Sequence, residues 1–414
     1  MTGSTQADIT VIGGGIAGCS VALHAALAGA RVVLLEGKEI GWGASSRNSG
    51  HVPPATKQSP AELLRMYGPR HGPRLIEAAR SGPELVFALA ETNAMNADVA
   101  RTGNIVAAHT VAALETLRTR AADLQARGYP AEILDRQQAV AFIGSDYYFG
   151  CLLDRAGGTI NPLAYVRGLA RAAGTAGAEI HEGSPATSLD RTSGKWRTET
   201  GSGAVVSDFV VLCTKAYTSD LWPGLKQTVV PVRAYQYLTK PLSDGMRAAI
   251  LPGRQGMTDT RRLMSGIRMM PDGRMLFSGQ GAPFGAEGEP EFGPSLKRIQ
   301  SIFPQMGKIE LEYWWTGWLA MNFENAWKIH ELAPGLLSAL GCNGRGVALA
   351  TIFGRELARY MRGTPADDLV IPFAPLKPIA VHAIHPPLVK SLMTYYRLRD
   401  AIDVRRARPV RRPT

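Results

Sequence analysis

The feature that most constrains this chain is its opening strand–turn–helix unit. Asp8-Ile9-Thr10-Val11-Ile12 is a short apolar run that ends in Gly13-Gly14-Gly15-Ile16-Ala17-Gly18 and continues from Cys19 to Ala28. A second run, Arg31-Val32-Val33-Leu34-Leu35, then stops at Glu36. An apolar run ending in glycines reads as a buried parallel strand feeding a tight turn. Gly13 permits the turn, Gly15 lets the backbone approach a pyrophosphate, and Gly18 lets the helix pack on the strand. The helix N-terminus, at Ile16 and Ala17, offers unpaired N–H groups and a partial positive charge. Glu36 stands eighteen residues after Gly18, at a strand end, where its carboxylate can accept hydrogen bonds from a ribose. The plainer alternative is a glycine-rich turn in an ordinary parallel sheet. The strand, the helix and the terminal acid, all in the required order, argue instead for a bound adenine dinucleotide.

A chain of 414 residues has room for two or three domains and a large core. Glycines interrupt the first apolar stretch, and no basic leader or cleavage site accompanies it, so neither a signal peptide nor a membrane span is expected. Cys19, Cys151, Cys213 and Cys342 are far apart with no C-x-x-C, which points to neither zinc nor a disulfide framework and makes a cytoplasmic setting the expectation. His382 and His385 stand beside prolines without a wider ligand pattern, and no metal is expected. The net charge of +11 is uneven: Arg397 to Thr414 carries seven Arg against two Asp. Such a tail reads first as a solvated segment, with at most peripheral contact to a membrane and no nucleic-acid partner.

The residues after Glu36 are small and polar: Gly37-Lys38-Glu39-Ile40-Gly41-Trp42-Gly43-Ala44-Ser45-Ser46-Arg47-Asn48-Ser49-Gly50-His51. Read alone, this is either a mobile surface loop or a second approach to a cofactor. With the first unit, it resembles the D-amino-acid-oxidase-like family of FAD-dependent enzymes (the glycine/sarcosine oxidase superfamily), whose loop has the form G-A-S-x-R-N-x-G. The nearest resemblance is to the gamma-glutamylputrescine oxidase-like amine oxidases. It implies FAD contacts from Gly37 and from Gly43, Ala44, Ser45, Ser46, Arg47, Asn48, Ser49 and Gly50.

Pro60 to Met95 carries helical signals with breaks at Pro69, Pro73 and Pro83; Thr102 to His109 reads as a strand, and Val111 to Gly128 as a helix. These segments suit a helical cap opening a second domain. Tyr147 to Asn161 is strand-rich, Leu163 to Ala173 is helical, and three strands follow, the last from Val205 to Cys213. That last strand, with Thr214-Lys215-Ala216-Tyr217, resembles the family's return to the FAD domain and implies a contact from Thr214. Cys213 and Lys215 depart from the usual Ala-Thr-Gly or Ala-Thr-Asn.

Val229 to Thr239 alternates as a strand with Arg233, Tyr235 and Tyr237 on one face. Ile267 to Gly279 reads as a hairpin turning at Pro271-Asp272-Gly273 and resembles the family's R-x-x-P-D-G-R hairpin, covering Arg268 and Arg274. Leu311 to Met321 resembles the W-x-G strand near the flavin, carrying Trp315, Gly317 and Trp318; the T-x-D-x-x-P that usually follows is replaced by Asn322 to Lys328, without the proline. Leu336–Leu340, a glycine turn and a helix from Val347 to Met361 form a second strand–turn–helix. It resembles the family's closing FAD element and implies that Gly344, Arg345, Gly346 and Val347 face the flavin's pyrimidine edge. For Arg345, an inward and a solvent-facing position both stand open. Leu388 to Asp400 resembles the ending of the gamma-glutamylputrescine oxidase branch.

The expected architecture is an α/β Rossmann-type FAD-binding domain (residues 1–60, 145–222 and 328–375) plus an α+β substrate domain with an antiparallel sheet (61–144 and 223–327) and a C-terminal extension (376–414). The resemblance implies oxidation of a C–N bond in a small-molecule amine or amino acid. Hydride leaves the carbon for the flavin, the imine hydrolyses, and oxygen or a quinone takes the electrons. Tyr235, Tyr237, Trp315 and Trp318 are the expected pocket walls and Arg268 the clamp for a substrate carboxylate, as on a gamma-glutamyl polyamine. The alternatives are sheet core for the aromatics and an ordinary ion pair for Arg268. A D-amino-acid or glycine-type dehydrogenase passing electrons to quinone, and a non-catalytic flavin-binding protein, are the rival functions. Where relatives with histidyl flavin carry His, this chain has Ser46-Arg47-Asn48, with His51 later, and no attachment motif surrounds Cys342. FAD is therefore expected to bind non-covalently.

Overall fold

The computed structural model describes residues 3–54, 56–280, 292–322, 324–341 and 343–407. A six-stranded sheet has the order Lys328–Ala333, Leu336–Leu340, Phe209–Leu212, Ile9–Ile12, Val32–Leu35, Glu179–His181. Its last five strands are parallel. Strands Ile9–Ile12, Val32–Leu35 and Leu336–Leu340 are buried at every position, as a sheet covered by helices on its faces requires. This is the predicted Rossmann-type half.

Helix Ile16–Leu27 packs against the two helices Pro162–Thr175 and Gly346–Met361. The two glycine-turn helices approach so closely that a Cβ on Gly354 would overlap Ser20, whose Oγ donates to Thr351 O at 2.8 Å. Both turns thus deliver helix N-termini to one side of the sheet.

The second half is an eight-stranded sheet, ordered Leu311–Met321, Val230–Thr239, Met275–Gln280, Gly266–Met269, Gly256–Asp259, Asn104–Ala107, Gly150–Asp154, Ala131–Asp135. It is mixed rather than purely antiparallel, because Gly256–Asp259 runs parallel to Asn104–Ala107. Gly150–Asp154, grouped by sequence with the FAD-binding part, pairs on both sides within this sheet. The single strand expected over Val205 to Cys213 is two: Gly203–Ser207 joins a small four-stranded sheet, and Phe209–Leu212 joins the six-stranded one.

Helix Pro60–Thr92 starts at a capping box between Ser59 and Glu62 and kinks once, at Gly68 (φ +70°), just before Pro69. Pro73 and Pro83 remain inside it. Helix His385–Ala407 lies on the second half: Val389 and Met393 are buried with Val230 and Leu263, and Arg262 Nη1 donates to Asp400 (3.0 Å) and Asp403 (2.7 Å). Cys19, Cys151 and Cys213 are buried free thiols, and Cys342 lies outside the described residues. Among the described residues, no helix is long and apolar enough to cross a membrane.

Candidate active site

The C-terminal end of strand Ile9–Ile12 turns at Gly13, whose φ of +109° suits glycine, and passes within 3.1 Å (measured from an ideal Cβ) of the Cys213 backbone. Gly15 is the N-cap of the first helix and supplies no side-chain cap. The following loop does so instead: Ser45 Oγ accepts from Ile16 N at 2.9 Å, and a Cβ on Gly15 would come to 2.7 Å from that oxygen. Glu36 ties turn and loop together, accepting from Gly14 N (2.6 Å) and Lys38 N (2.8 Å). Gly18 does not border the cavity; a Cβ there would overlap the Gly13 carbonyl, so it serves helix–strand contact.

A cavity of about 980 Å³ runs from this turn to the eight-stranded sheet. Gly13, Gly15, Ile16, Ala17, Glu36, Gly37, Gly43, Ala44, Ser45, Arg47, Asn48, Ser49 and Thr214 line one end, and Gly317, Trp318, Gly344, Arg345, Gly346 and Val347 line it further in. Helix starts whose own N-cap residues, Gly15 and Arg345, give no side-chain cap therefore face one space, an arrangement that can hold a pyrophosphate at one end and an electron-rich ring edge at the other. Ser46 and Gly50 stand just outside. Ser46 Oγ donates to Gly43 O at 3.4 Å, and Gly50 (φ +73°) donates its N–H to Asn48 Oδ1 at 2.8 Å.

The substrate-domain wall is built by alternation. Val230, Val232, Ala234 and Gln236 look into the cavity. Tyr235 and Tyr237 share a face, as the sequence suggests, but it is the opposite face. They are 6% and 2% exposed and stack at 6.3 Å in a core with Phe277, Ile299 and Phe303, so they are not pocket walls. Trp315 also stands outside, its Nε1 donating to Arg47 O at 2.9 Å and so bracing the loop. Trp318 borders the cavity, with the Arg233 guanidinium 4.5 Å over its ring.

Arg268 is a further correction. It is 2% exposed, outside the cavity lining, and its Nη1 donates to Ile160 O at 2.8 Å. The chain crossing at Gly50 and Ile160 covers it: a Cβ on Gly50 would lie 2.5 Å from Nη1. Burial pulls its pKa down to about 10. Arg274 pairs with Asp272 and Glu312 at the hairpin.

The cations that reach the cavity were not singled out by sequence reading, apart from Arg345 and Arg47. Arg120, on helix Val111–Ala126, donates from Nη2 to Thr56 O at 3.1 Å, and Arg345 Nη1 donates to the same carbonyl at 2.9 Å. Burial lowers both pKa values, that of Arg345 to about 9; the Arg120 guanidinium adds to the effect on Arg345, and Arg80 adds to that on Arg120. Arg120 Nε is buried without a hydrogen-bond partner. Nearby Asp154 is committed to a two-pronged pair with Arg80. One signal was available: Arg120 falls between Leu117 and Leu124, within the apolar stripe of its helix. His51 lines the cavity with Nε2 shielded and unpartnered, while its ring bonds the Ile267 backbone; burial, helped by Arg268, lowers its pKa to about 3. Val389, Leu392, Met393 and Tyr396 of the C-terminal helix close the far side. His109, Asp400 and Asp403 are the one described cluster with metal-ligand composition, but Arg262 already bridges the two carboxylates.

A family profile described as DAO, FAD dependent oxidoreductase, matches residues 8–360. A probable oxidoreductase OrdL of Rhizobium meliloti is 29% identical over 370 residues, covering 89% of this chain and 86% of the relative. Gamma-glutamylputrescine oxidoreductase of Escherichia coli is 28% identical, covering 97% and 94%. The crystal structure of glycine oxidase from Geobacillus kaustophilus superposes with a TM-score of 0.75 at 21% identity, covering 91% of this chain and 99% of that one.

Proposed function

Because this chain belongs to the family of FAD dependent oxidoreductases, we propose that it oxidises the C–N bond of an amine or amino acid bearing a carboxylate, of which a gamma-glutamyl polyamine is the leading example. Bound FAD supplies the hydride acceptor. The carrying observation is that the starts of the two glycine-turn helices and the alternating inner face of the substrate sheet line one cavity.

In this reading the amides of Gly15 and Ala17 hold the pyrophosphate and Glu36 the ribose, with Thr214 and the Gly43–Ser49 loop enclosing the cofactor. Gly344 to Val347 face the pyrimidine edge, where a helix N-terminus stabilises added negative charge. The cofactor is held without a covalent bond and works in a cytoplasmic setting.

Arg120, together with Arg345, takes the substrate carboxylate in the role first expected of Arg268. Burial already disfavours both cations, so an incoming anion offsets part of that cost. His51 is neutral over the physiological range and adds no positive charge to this wall of the cavity. A neutral amine needs no strong base, only a fixed position. Oxygen takes the electrons in this reading, and a quinone is the alternative acceptor.

An anaerobic titration of the purified yellow protein with a panel of amines tests the proposal. Bleaching by amines that carry a carboxylate, then peroxide on admitting air, is the expected result. A flavin that no amine bleaches would overturn it, and bleaching followed by reoxidation only with quinone would replace oxygen as the acceptor.

A further inference from the structure

The C-terminal helix has two apolar faces, and only one of them is covered. Val389 and Met393 pack on Val230 and Leu263. On the outer side, Ile384 just before the helix and Leu388, Leu392, Tyr395 and Leu398 within it are 40% to 59% exposed, with Leu392 at the edge where this side meets the cavity. Their three- and four-residue spacing aligns them in one stripe along the solvent side. A run of large exposed apolar side chains on a single helix is unusual for a surface left in water.

The charge around the stripe has one sign. Residues 385–414 contain eight Lys or Arg and two acids, Asp400 and Asp403. Both acids are engaged by Arg262, so they do little to offset the field outside. Lys390, Arg397, Arg399, Arg405 and Arg406 belong to the described helix, and the remaining three arginines follow it in sequence.

We propose that this outer face is a docking surface for an anionic phospholipid bilayer. The helix lies along the membrane plane, with the stripe among the upper acyl chains and the guanidinium groups at the phosphates. Charge complementarity selects this occupant. A second copy would set one strongly basic helix against another, and like charges repel. Nucleic acid would satisfy the arginines but leave the aliphatic stripe without a role. No described helix can cross the bilayer, so the contact is a surface one. The inner face of the same helix closes the cavity, so docking brings that end of the site to the lipid boundary. The inference goes beyond the amine-oxidation reading and stands without it.

The test is co-sedimentation of the full-length holoprotein with vesicles of equal parts phosphatidylcholine and phosphatidylglycerol, against vesicles of phosphatidylcholine alone. Pelleting with the anionic vesicles only, reversed by high salt, is expected. Leu388→Glu with Leu398→Glu should weaken partitioning by at least about ten-fold, as should Arg405→Glu with Arg406→Glu, at unchanged flavin absorbance. If the leucine pair impairs flavin content, the single Leu398→Ser serves in its place. Failure to pellet, equal pelleting by wild type and variants, or preferential retention on DNA would overturn the proposal. So would a dimer in light scattering that the leucine pair dissolves, since the stripe would then belong to a second copy.

Discussion

Replacing Arg120 with methionine separates a substrate-binding arginine from a structural one. Methionine keeps most of the aliphatic stem between Leu117 and Leu124 while removing the charge. Three observations set the expected effect on the fold. Thr56 O keeps its second donor, Arg345 Nη1, at 2.9 Å. Asp154 keeps Arg80. Burial disfavours the Arg120 cation. Exchanging such a group for an apolar one of similar volume is commonly neutral or stabilising, so the melting temperature should hold or rise. The effect on catalysis should be large and selective. Losing a hydrogen bond to a charged group costs about 1.5–3 kcal/mol, or roughly 10- to 150-fold in kcat/KM for an amine carrying a carboxylate. An otherwise matched amine without the carboxylate should lose little. The assay is steady-state turnover on such a pair, with thermal melts and flavin absorbance alongside. Arg268→Met is the control: its guanidinium serves Ile160 O, so whatever it loses should be equal on both substrates. Equal losses from Arg120→Met, a falling melting temperature, or selectivity appearing at Arg268 instead would refute the reasoning.

Gly18→Ala should yield colourless or weakly yellow protein, because the new Cβ overlaps the Gly13 carbonyl and pries the first helix from its strand; flavin retained at wild-type stoichiometry would contradict this. Acid precipitation should leave the flavin in the supernatant, and colour on the pellet would reveal a covalent link. His51 should make the protein acid-sensitive. Its pKa is about 3 folded against 6.5 for the free side chain, so the folded state binds fewer protons between those values and stability falls as pH drops through that window. By about pH 5 the loss is on the order of 2 kcal/mol, and His51→Asn should flatten the profile of melting temperature against pH between there and neutrality. An unchanged slope would mean that His51 is not held neutral.

The sequence by itself determined the dinucleotide half. Gly13, Gly15, Gly18 and Glu36 act within one strand–turn–helix–strand unit, so local stereochemistry and short spacing specify the turn, the helix start and the acid. The second glycine turn, at Gly344 to Gly346, was legible on the same grounds, and so was the alternation of Val230 to Thr239. Alternation leaves two answers to which face looks inward, however, and the choice fell to distant segments. Phe277, Ile299 and Phe303 build a core behind the sheet, which claims Tyr235 and Tyr237 and turns Ala234 and Gln236 to the cavity. Arg268 was read from its hairpin, yet its partner, Ile160, lies 108 residues away in sequence. The meeting of Arg120 and Arg345 over Thr56 joins segments 64 and 289 residues from that carbonyl. Periodicity and turn chemistry act over a few residues and fix what each segment is. The walls of the substrate cavity come from segments brought together by burial of apolar surface, which is non-directional and leaves no short-range mark on the chain.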